Sequence, residues 1–146
     1  MPAIKRSHFG IVASRFNPEI TDRLLQGALG LFRQRGVSRA QVDVIRVPGA
    51  FELAGAAARM AGSGRYKAIV ALGCILEGET PHHRYLSQAT LTGVMMAGIL
   101  TGVPVTCGVI TARSWKLALA RSQPKDLNRG REAAQAAWEL VHADER

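Results

Sequence analysis

The chain has 146 residues, of which 47% are apolar, and its formal net charge is +8. This length and apolar content predict one globular domain with a sizeable core, and they exclude a disordered tail or a fibre. No apolar run approaches the length of a membrane span, and residues 1–6 lack an apolar core of signal-peptide length. A cytoplasmic location is therefore expected.

The excess of positive charge makes nucleic-acid binding one hypothesis to weigh. However, the lysine and arginine residues are scattered, with no run of five and no interleaved aromatic residues. Such a surface also suits small anionic substrates, and this is the favoured interpretation. An RNA-binding α/β domain stays open as an alternative that rests on net charge alone, and salt-dependent retention on RNA would support it.

Short apolar segments alternate with helical patterns along the chain. Strands are predicted at residues 9–13, 42–47, 68–72 and 103–111. Helices are predicted at 19–35, from the end of a turn at 48–52 to about 61, from 83 to about 100, at 115–121 and at 128–142. Strands that alternate with helices of this length form a parallel sheet with right-handed crossovers. The pattern predicts a flavodoxin-like three-layer αβα sandwich with a four-stranded parallel sheet. Residues 1–146 are expected to form a single domain, with 1–7 as an N-terminal arm that is flexible or contacts a partner.

The stretch after the third strand is the centre of the predicted site. The apolar run at 68–72 is typical of a strand buried on both faces, and Gly73 and Gly78 are expected to let the chain turn tightly after it. Thr80 is expected to cap the next helix, with Pro81 at its first position. Backbone N–H groups at such a helix start can bind an anion.

Two adjacent histidines, His82 and His83, lie in the first turn of that helix. A titratable group beside an anion site is a candidate for catalysis. Adjacent helical residues point about 100° apart, so the two imidazoles are not expected to bind one metal ion together. No other His or Cys has zinc-like spacing relative to this pair, so no metal site is expected.

Several other residues have two interpretations. Phe16 follows the first strand and lies outside the helical stripe, so it either plugs the core or faces a ligand. Glu52 either complements a helix dipole or accepts hydrogen bonds from a ligand. Cys74 and Cys107 are expected to be buried thiols rather than disulfide partners or metal ligands, and the methionines near Met95 are expected to fill the core.

Three motifs share their order and spacing with a known family. They are Ser14–Asn17 after the first strand, Val47–Leu53 after the second, and Ala71–His82 after the third. Together they resemble the 6,7-dimethyl-8-ribityllumazine synthase family, and the resemblance extends from about residue 9 to residue 140. No G-x-G-x-x-G dinucleotide fingerprint and no P-loop competes with this interpretation.

The resemblance implies a transferase of riboflavin biosynthesis. Members of this family condense 5-amino-6-(D-ribitylamino)uracil with 3,4-dihydroxy-2-butanone 4-phosphate, and release phosphate and water. No redox step occurs, so no cofactor is implied. The family forms pentamers with sites at subunit interfaces, and some members assemble pentamers into icosahedral shells. The resemblance therefore implies a homo-oligomer, and the sequence does not decide between a pentamer and a shell.

The resemblance also assigns substrate contacts by position. It implies stacking on the pyrimidinedione ring, contact with the ribityl chain, backbone binding of the ring edge, and a phosphate cradle. The residues at these positions are, in that order, Phe16; Ala50, Phe51 and Glu52; Cys74, Ile75 and Leu76; and Gly78, Glu79 and Thr80.

The remaining positions concern proton transfer and charge. The resemblance implies that His82 transfers protons and that Glu132 orients it. Because adjacent helical residues point about 100° apart, His83 is then expected to point away from the site. It also implies that Arg121 binds phosphate from a neighbouring subunit, with Arg129 as a nearby basic residue. Cys107 stands where a phenylalanine often lies over the ring, and it is included among the substrate contacts.

Glu77 also departs from the family pattern, because an arginine is common there. The departures at Glu77 and Cys107 leave a second hypothesis, a non-catalytic paralogue that binds a lumazine or a flavin. The presence of His82 and Arg121 favours the enzyme.

Overall fold

The computed structural model describes residues 8–143, so the arm predicted at residues 1–7 lies outside the described residues. Its strands form one four-stranded parallel sheet in the order β2-β1-β3-β4. The strands are β1 (Phe9–Ser14), β2 (Val42–Val47), β3 (Ala68–Leu76) and β4 (Val105–Ala112). The helices are α1 (Pro18–Gln34), α2 (Leu53–Gly62), α3 (His82–Thr101), α4 (Trp115–Ala120) and α5 (Arg129–His142), with short 3₁₀ turns at Arg39–Gln41 and Ala50–Glu52.

Helices cover both faces of this sheet, which confirms the predicted flavodoxin-like sandwich. In β3, Val70 and Leu72 point into a core that includes residues of α1 and α5. Ile69 and Ala71 alternate with them and point into a second core that includes residues of α2 and α3. This period of two explains why a continuous apolar run can serve both cores. No helix within residues 8–143 is long and apolar enough to cross a membrane.

Strand β3 continues to Leu76, so the predicted turn at Gly73 is wrong. Gly73 pairs with Val109 inside the parallel ladder. A Cβ atom at Gly73 would lie 3.0 Å from Leu53 Cδ1 and 3.1 Å from Ser14 Oγ. The glycine therefore allows close packing against the strand and does not break it.

The predicted cap of α3 is wrong, because Pro81 and not Thr80 is the N-cap residue, and it makes no side-chain capping bond. Helix α3 begins at His82 and not one residue earlier, and the Thr80 hydroxyl accepts a bond of 3.4 Å from the His82 N–H. Ser114 caps α4, because its Oγ accepts the Leu117 N–H at 3.2 Å. A side-chain oxygen near a helix start satisfies one of the N–H groups that lack helical partners.

Helix α3 leaves much of its apolar surface outside the core. Met95 and Met96 are 56% and 37% exposed, so the prediction that they fill the core is wrong. Ile99 is also exposed on this helix. The prediction of two buried thiols is also wrong for Cys107, which is exposed, whereas Cys74 is buried. The apolar residues of α3 therefore extend beyond the face that packs on the sheet.

Candidate active site

A cavity of about 550 Å³ opens where the strands end, at the carboxyl edge of the sheet. Open α/β sheets bind their ligands at this edge. The segments after β1 and β2, the end of β3 and the start of α3 all contribute to the lining. The lining residues are Phe16, Asn17, Gly49, Ala50, Phe51, Cys74, Ile75, Leu76, Gly78, Thr80, His82, His83 and Leu86.

Two phenylalanines present their rings to this cavity. Phe16 is 70% exposed and Phe51 is 69% exposed. The alternative that Phe16 plugs the core is therefore wrong, because its ring has little protein around it. Aromatic faces next to an apolar cavity suit a flat heterocyclic ring, which prefers offset stacking.

The segment that carries Phe16 is held by backbone contacts and by Asn17. The N–H groups of Arg15 and Phe16 donate to the carbonyl oxygens of Val47, at 2.7 Å, and of Pro48, at 3.0 Å. Asn17 has a left-handed backbone with φ of 59°, and its Nδ2 donates to the Cys74 carbonyl oxygen at 3.0 Å.

Asn17 therefore joins the segment after β1 to the end of β3. Asn17 was not among the predicted site residues, although it ends the motif Ser14–Asn17. Its position between a strand end and Pro18, together with the tolerance of asparagine for left-handed backbone, is the signal that could have found it.

Glu52 lies beside the cavity and does not line it. Its Oε1 accepts the N–H of Gly49 at 2.9 Å and so closes the turn that leads into α2. Ala50 and Phe51, on the same turn, do line the cavity. The carboxylate of Glu52 therefore shapes the turn that presents these two residues.

The end of β3 contributes Cys74, Ile75 and Leu76 to the cavity. These residues belong to β3, whereas the predicted strand ended at residue 72. Burial raises the pKa of the Cys74 thiol to about 11. The thiol is therefore protonated at neutral pH, and it offers apolar contact rather than a nucleophile.

The loop between β3 and α3 can receive an anion. Within residues 8–143, the backbone N–H groups of Gly78, Glu79 and Thr80 have no hydrogen-bond partner. Gly78 and Thr80 line the cavity, and Glu79 does not. Free N–H groups next to the start of a long helix are a suitable environment for a phosphate.

Both histidines at the start of α3 line the cavity. The expectation that His83 points away is therefore wrong. Because the cavity opens at the start of the helix, side chains about 100° apart can both border it. Within the described part of the chain, no three His, Cys, Asp or Glu side chains are grouped as metal ligands would be.

Six of the predicted site residues do not line this cavity: Glu52 and Glu79, described above, and Cys107, Arg121, Arg129 and Glu132. Cys107 lies on the edge strand β4, in a separate apolar groove that also includes Met95 of α3. Arg121 is exposed and follows α4. Arg129 and Glu132 pair with each other in the first turn of α5, with 2.9 Å between Nη1 and Oε1. The cavity of one chain is thus lined by aromatic rings, by histidines and by residues with free backbone N–H groups, and its lining includes no arginine.

Comparisons of the sequence with a known family and with known proteins agree on one family. The sequence pattern of the family described as 6,7-dimethyl-8-ribityllumazine synthase matches residues 6–145. A protein named 6,7-dimethyl-8-ribityllumazine synthase from Halorhodospira halophila is 42% identical over 139 residues, which cover 95% of this chain and 89% of that protein. The protein named 6,7-dimethyl-8-ribityllumazine synthase 1 from Caulobacter vibrioides is 45% identical over 131 residues, which cover 90% and 86%.

Proposed function

Because the chain belongs to the 6,7-dimethyl-8-ribityllumazine synthase family, we propose that it catalyses the condensation that forms 6,7-dimethyl-8-ribityllumazine in riboflavin biosynthesis. The substrates are 5-amino-6-(D-ribitylamino)uracil and 3,4-dihydroxy-2-butanone 4-phosphate. An amine of the first attacks the ketone of the second, phosphate leaves, and the ring closes with loss of water. The alternative of a non-catalytic lumazine or flavin binder finds no support in the matches.

One observation carries this proposal beyond family membership. The cavity collects one exposed aromatic ring after β1, a second after β2, the end of β3, a loop with free N–H groups and His82. These are the places where the reaction needs a ring platform, a phosphate site and a proton-transfer group. The proposed roles are stacking for Phe16, phosphate binding for Gly78 and Thr80, and proton transfer for His82.

The geometry favours catalysis by positioning. Two substrates held side by side in one cavity lose the entropic barrier of their encounter, which contributes up to about 7–11 kcal/mol in well-oriented reactions. A histidine within reach of the reacting amine adds about 10²–10⁴-fold by proton transfer. The direct test is to incubate the protein with both substrates and to record lumazine absorbance. Absence of product from a folded protein would contradict the proposal.

Phe16 offers a test of the ring platform. We expect that Phe16→Ala raises the Kd for 5-amino-6-(D-ribitylamino)uracil about tenfold, because a stacked ring contributes about 1 kcal/mol or more. Phe16→Trp should bind this pyrimidine normally. The melting temperature of Phe16→Ala should stay near that of the wild type, since the ring is 70% exposed. Calorimetric titration measures the Kd, and a variant that melts earlier yet binds normally would contradict the stacking role.

The site is also proposed to lie between subunits of a homo-oligomer. The observations that support this are the exposed apolar face of α3 and the position of Arg121, Arg129, Glu132 and Cys107 away from the cavity of their own chain. A neighbouring copy that covers the apolar face would bring these side chains to the cavity. Whether the assembly is a pentamer or a larger shell is left to size measurement in solution.

Mixed oligomers test this arrangement. His82→Ala and Arg121→Ala subunits should each be weakly active alone. Co-expression should restore part of the activity, because some interfaces would pair an intact His82 with an intact Arg121. Lumazine formation per site, measured on oligomers whose mixed composition has been verified, gives the result. No recovery would place both residues in a site built within one chain.

The chain is further proposed to act as one domain in the cytoplasm. Both cysteines are free, as in proteins of reducing compartments.

A further inference from the structure

The loop of residues 77–80 has few internal restraints. The residues from Glu77 to Pro81 belong to no helix or strand and are exposed. The Glu77 N–H donates to the Ala112 carbonyl oxygen at 2.9 Å, which fixes the start of the loop to the end of β4. A Cβ atom at Gly78 would meet nothing within 4 Å. The shape of the loop therefore depends on what holds its far end.

His83 holds that far end. Its Nδ1 lies 3.0 Å from the Thr80 carbonyl oxygen. A carbonyl oxygen can only accept, so the hydrogen bond requires the proton on Nδ1. The other ring nitrogen, Nε2, is 4.0 Å from Glu77 Oε1. This distance is too long for a hydrogen bond, and it gives a weaker electrostatic contact when the ring is protonated.

The imidazole ring thus lies across both ends of the loop whose N–H groups face no protein partner. The side chain of His83 is 22% exposed, so protein covers much of the ring. A loop that is already held loses less conformational entropy when it binds an anion.

We propose that His83 is a positioning residue for the phosphate of the four-carbon substrate. It acts through the Thr80 carbonyl, which it holds so that the N–H groups of Gly78 to Thr80 stay directed at one anion. This inference rests on the proposed function for the identity of the substrate. The binding of an anion does not depend on the proposed function, since the free N–H groups and the bond from His83 to the Thr80 carbonyl are features of the loop.

The first measurement is therefore the Kd of inorganic phosphate, which needs no turnover. His83→Ala should raise this Kd about tenfold, the loss that removal of one hydrogen bond and its preorganisation produces. His83→Asn should recover most of the affinity, because its Nδ2 can occupy the position of the histidine Nδ1. His142→Ala is the matched control, since His142 also bonds a nearby carbonyl, that of Trp138 at 2.7 Å, and is remote from the loop.

The second measurement separates this role from a structural one. In steady-state turnover, His83→Ala should raise the KM for the keto-phosphate about tenfold, with kcat and the KM for the pyrimidine within about twofold of the wild type. A rise in both KM values, a fall confined to kcat, an unchanged phosphate Kd, or no phosphate binding by the wild type would each overturn the inference. A wild type that binds phosphate but forms no lumazine would contradict the proposed function and leave the phosphate test decisive for His83.

Discussion

Replacing His82 with alanine is expected to lower kcat by about 10²–10⁴-fold, the usual contribution of a positioned proton-transfer group. The loss should stay incomplete, because the cavity still holds both substrates together. The KM values should change much less than kcat, since the phenylalanine rings and the loop N–H groups remain. Initial rates of lumazine formation, with each substrate varied in turn, give these constants.

His142→Ala is the control for the His82 experiment. It removes an imidazole that also contacts a backbone carbonyl. His142 is the last residue of α5 and does not line the cavity. Circular dichroism should show that both variants are folded. Equal losses of kcat in His82→Ala and His83→Ala would contradict the assignment of proton transfer to His82 alone.

Gly130→Ala is expected to cause a large loss of stability. Gly130 is buried in the first turn of α5, where this helix crosses α1. A Cβ atom there would collide with the carbonyl oxygen of Leu24, and would lie 2.7 Å from its carbonyl carbon and 2.9 Å from its Cα. These are backbone atoms, so no side-chain rotation relieves the collision and the two helices must separate. We expect a loss of about 3 kcal/mol or more in the free energy of unfolding.

Gly62→Ala is the matched control for this substitution. Gly62 is the last residue of α2, and a Cβ atom there would meet nothing within 4 Å. Alanine should leave stability unchanged or raise it by up to about 1 kcal/mol, through lower entropy of the unfolded chain. Urea unfolding of both variants gives the comparison. Equal midpoints for Gly130→Ala and the wild type would show that the contact between α1 and α5 is looser than the structure has it.

The two central strands of the sheet could be predicted from the sequence because they are buried. Each residue of β1 is buried, and β3 is buried along almost its whole length, so an apolar run marks each strand directly. The predicted end of β3, at residue 72, was wrong because glycine at position 73 was expected to allow a tight turn. Only the packing of Leu53 and Ser14 against this glycine shows why a small residue is needed inside the strand.

Much of the site could be predicted because local motifs encode it. Phe16, Phe51 and His82 each stand in a motif that follows a strand, and the carboxyl ends of parallel strands converge at one edge. The prediction for His83 was wrong, since a helical angle gives the direction of one side chain relative to another and does not give the position of the cavity. Asn17 was missed because its partner, the Cys74 carbonyl, is distant in the chain.

The sequence by itself determined the fold class, the family and the residues around the cavity, since these depend on apolar periodicity and on contiguous motifs. Only the tertiary structure decided which side chains share a surface. In it, Phe16, Met95 and Cys107 are exposed to solvent. Arg121 and Glu132 do not line the cavity of their own chain. The physical reason is that burial and proximity depend on how distant segments pack, and a one-dimensional pattern records hydrophobicity without recording the neighbour that covers it.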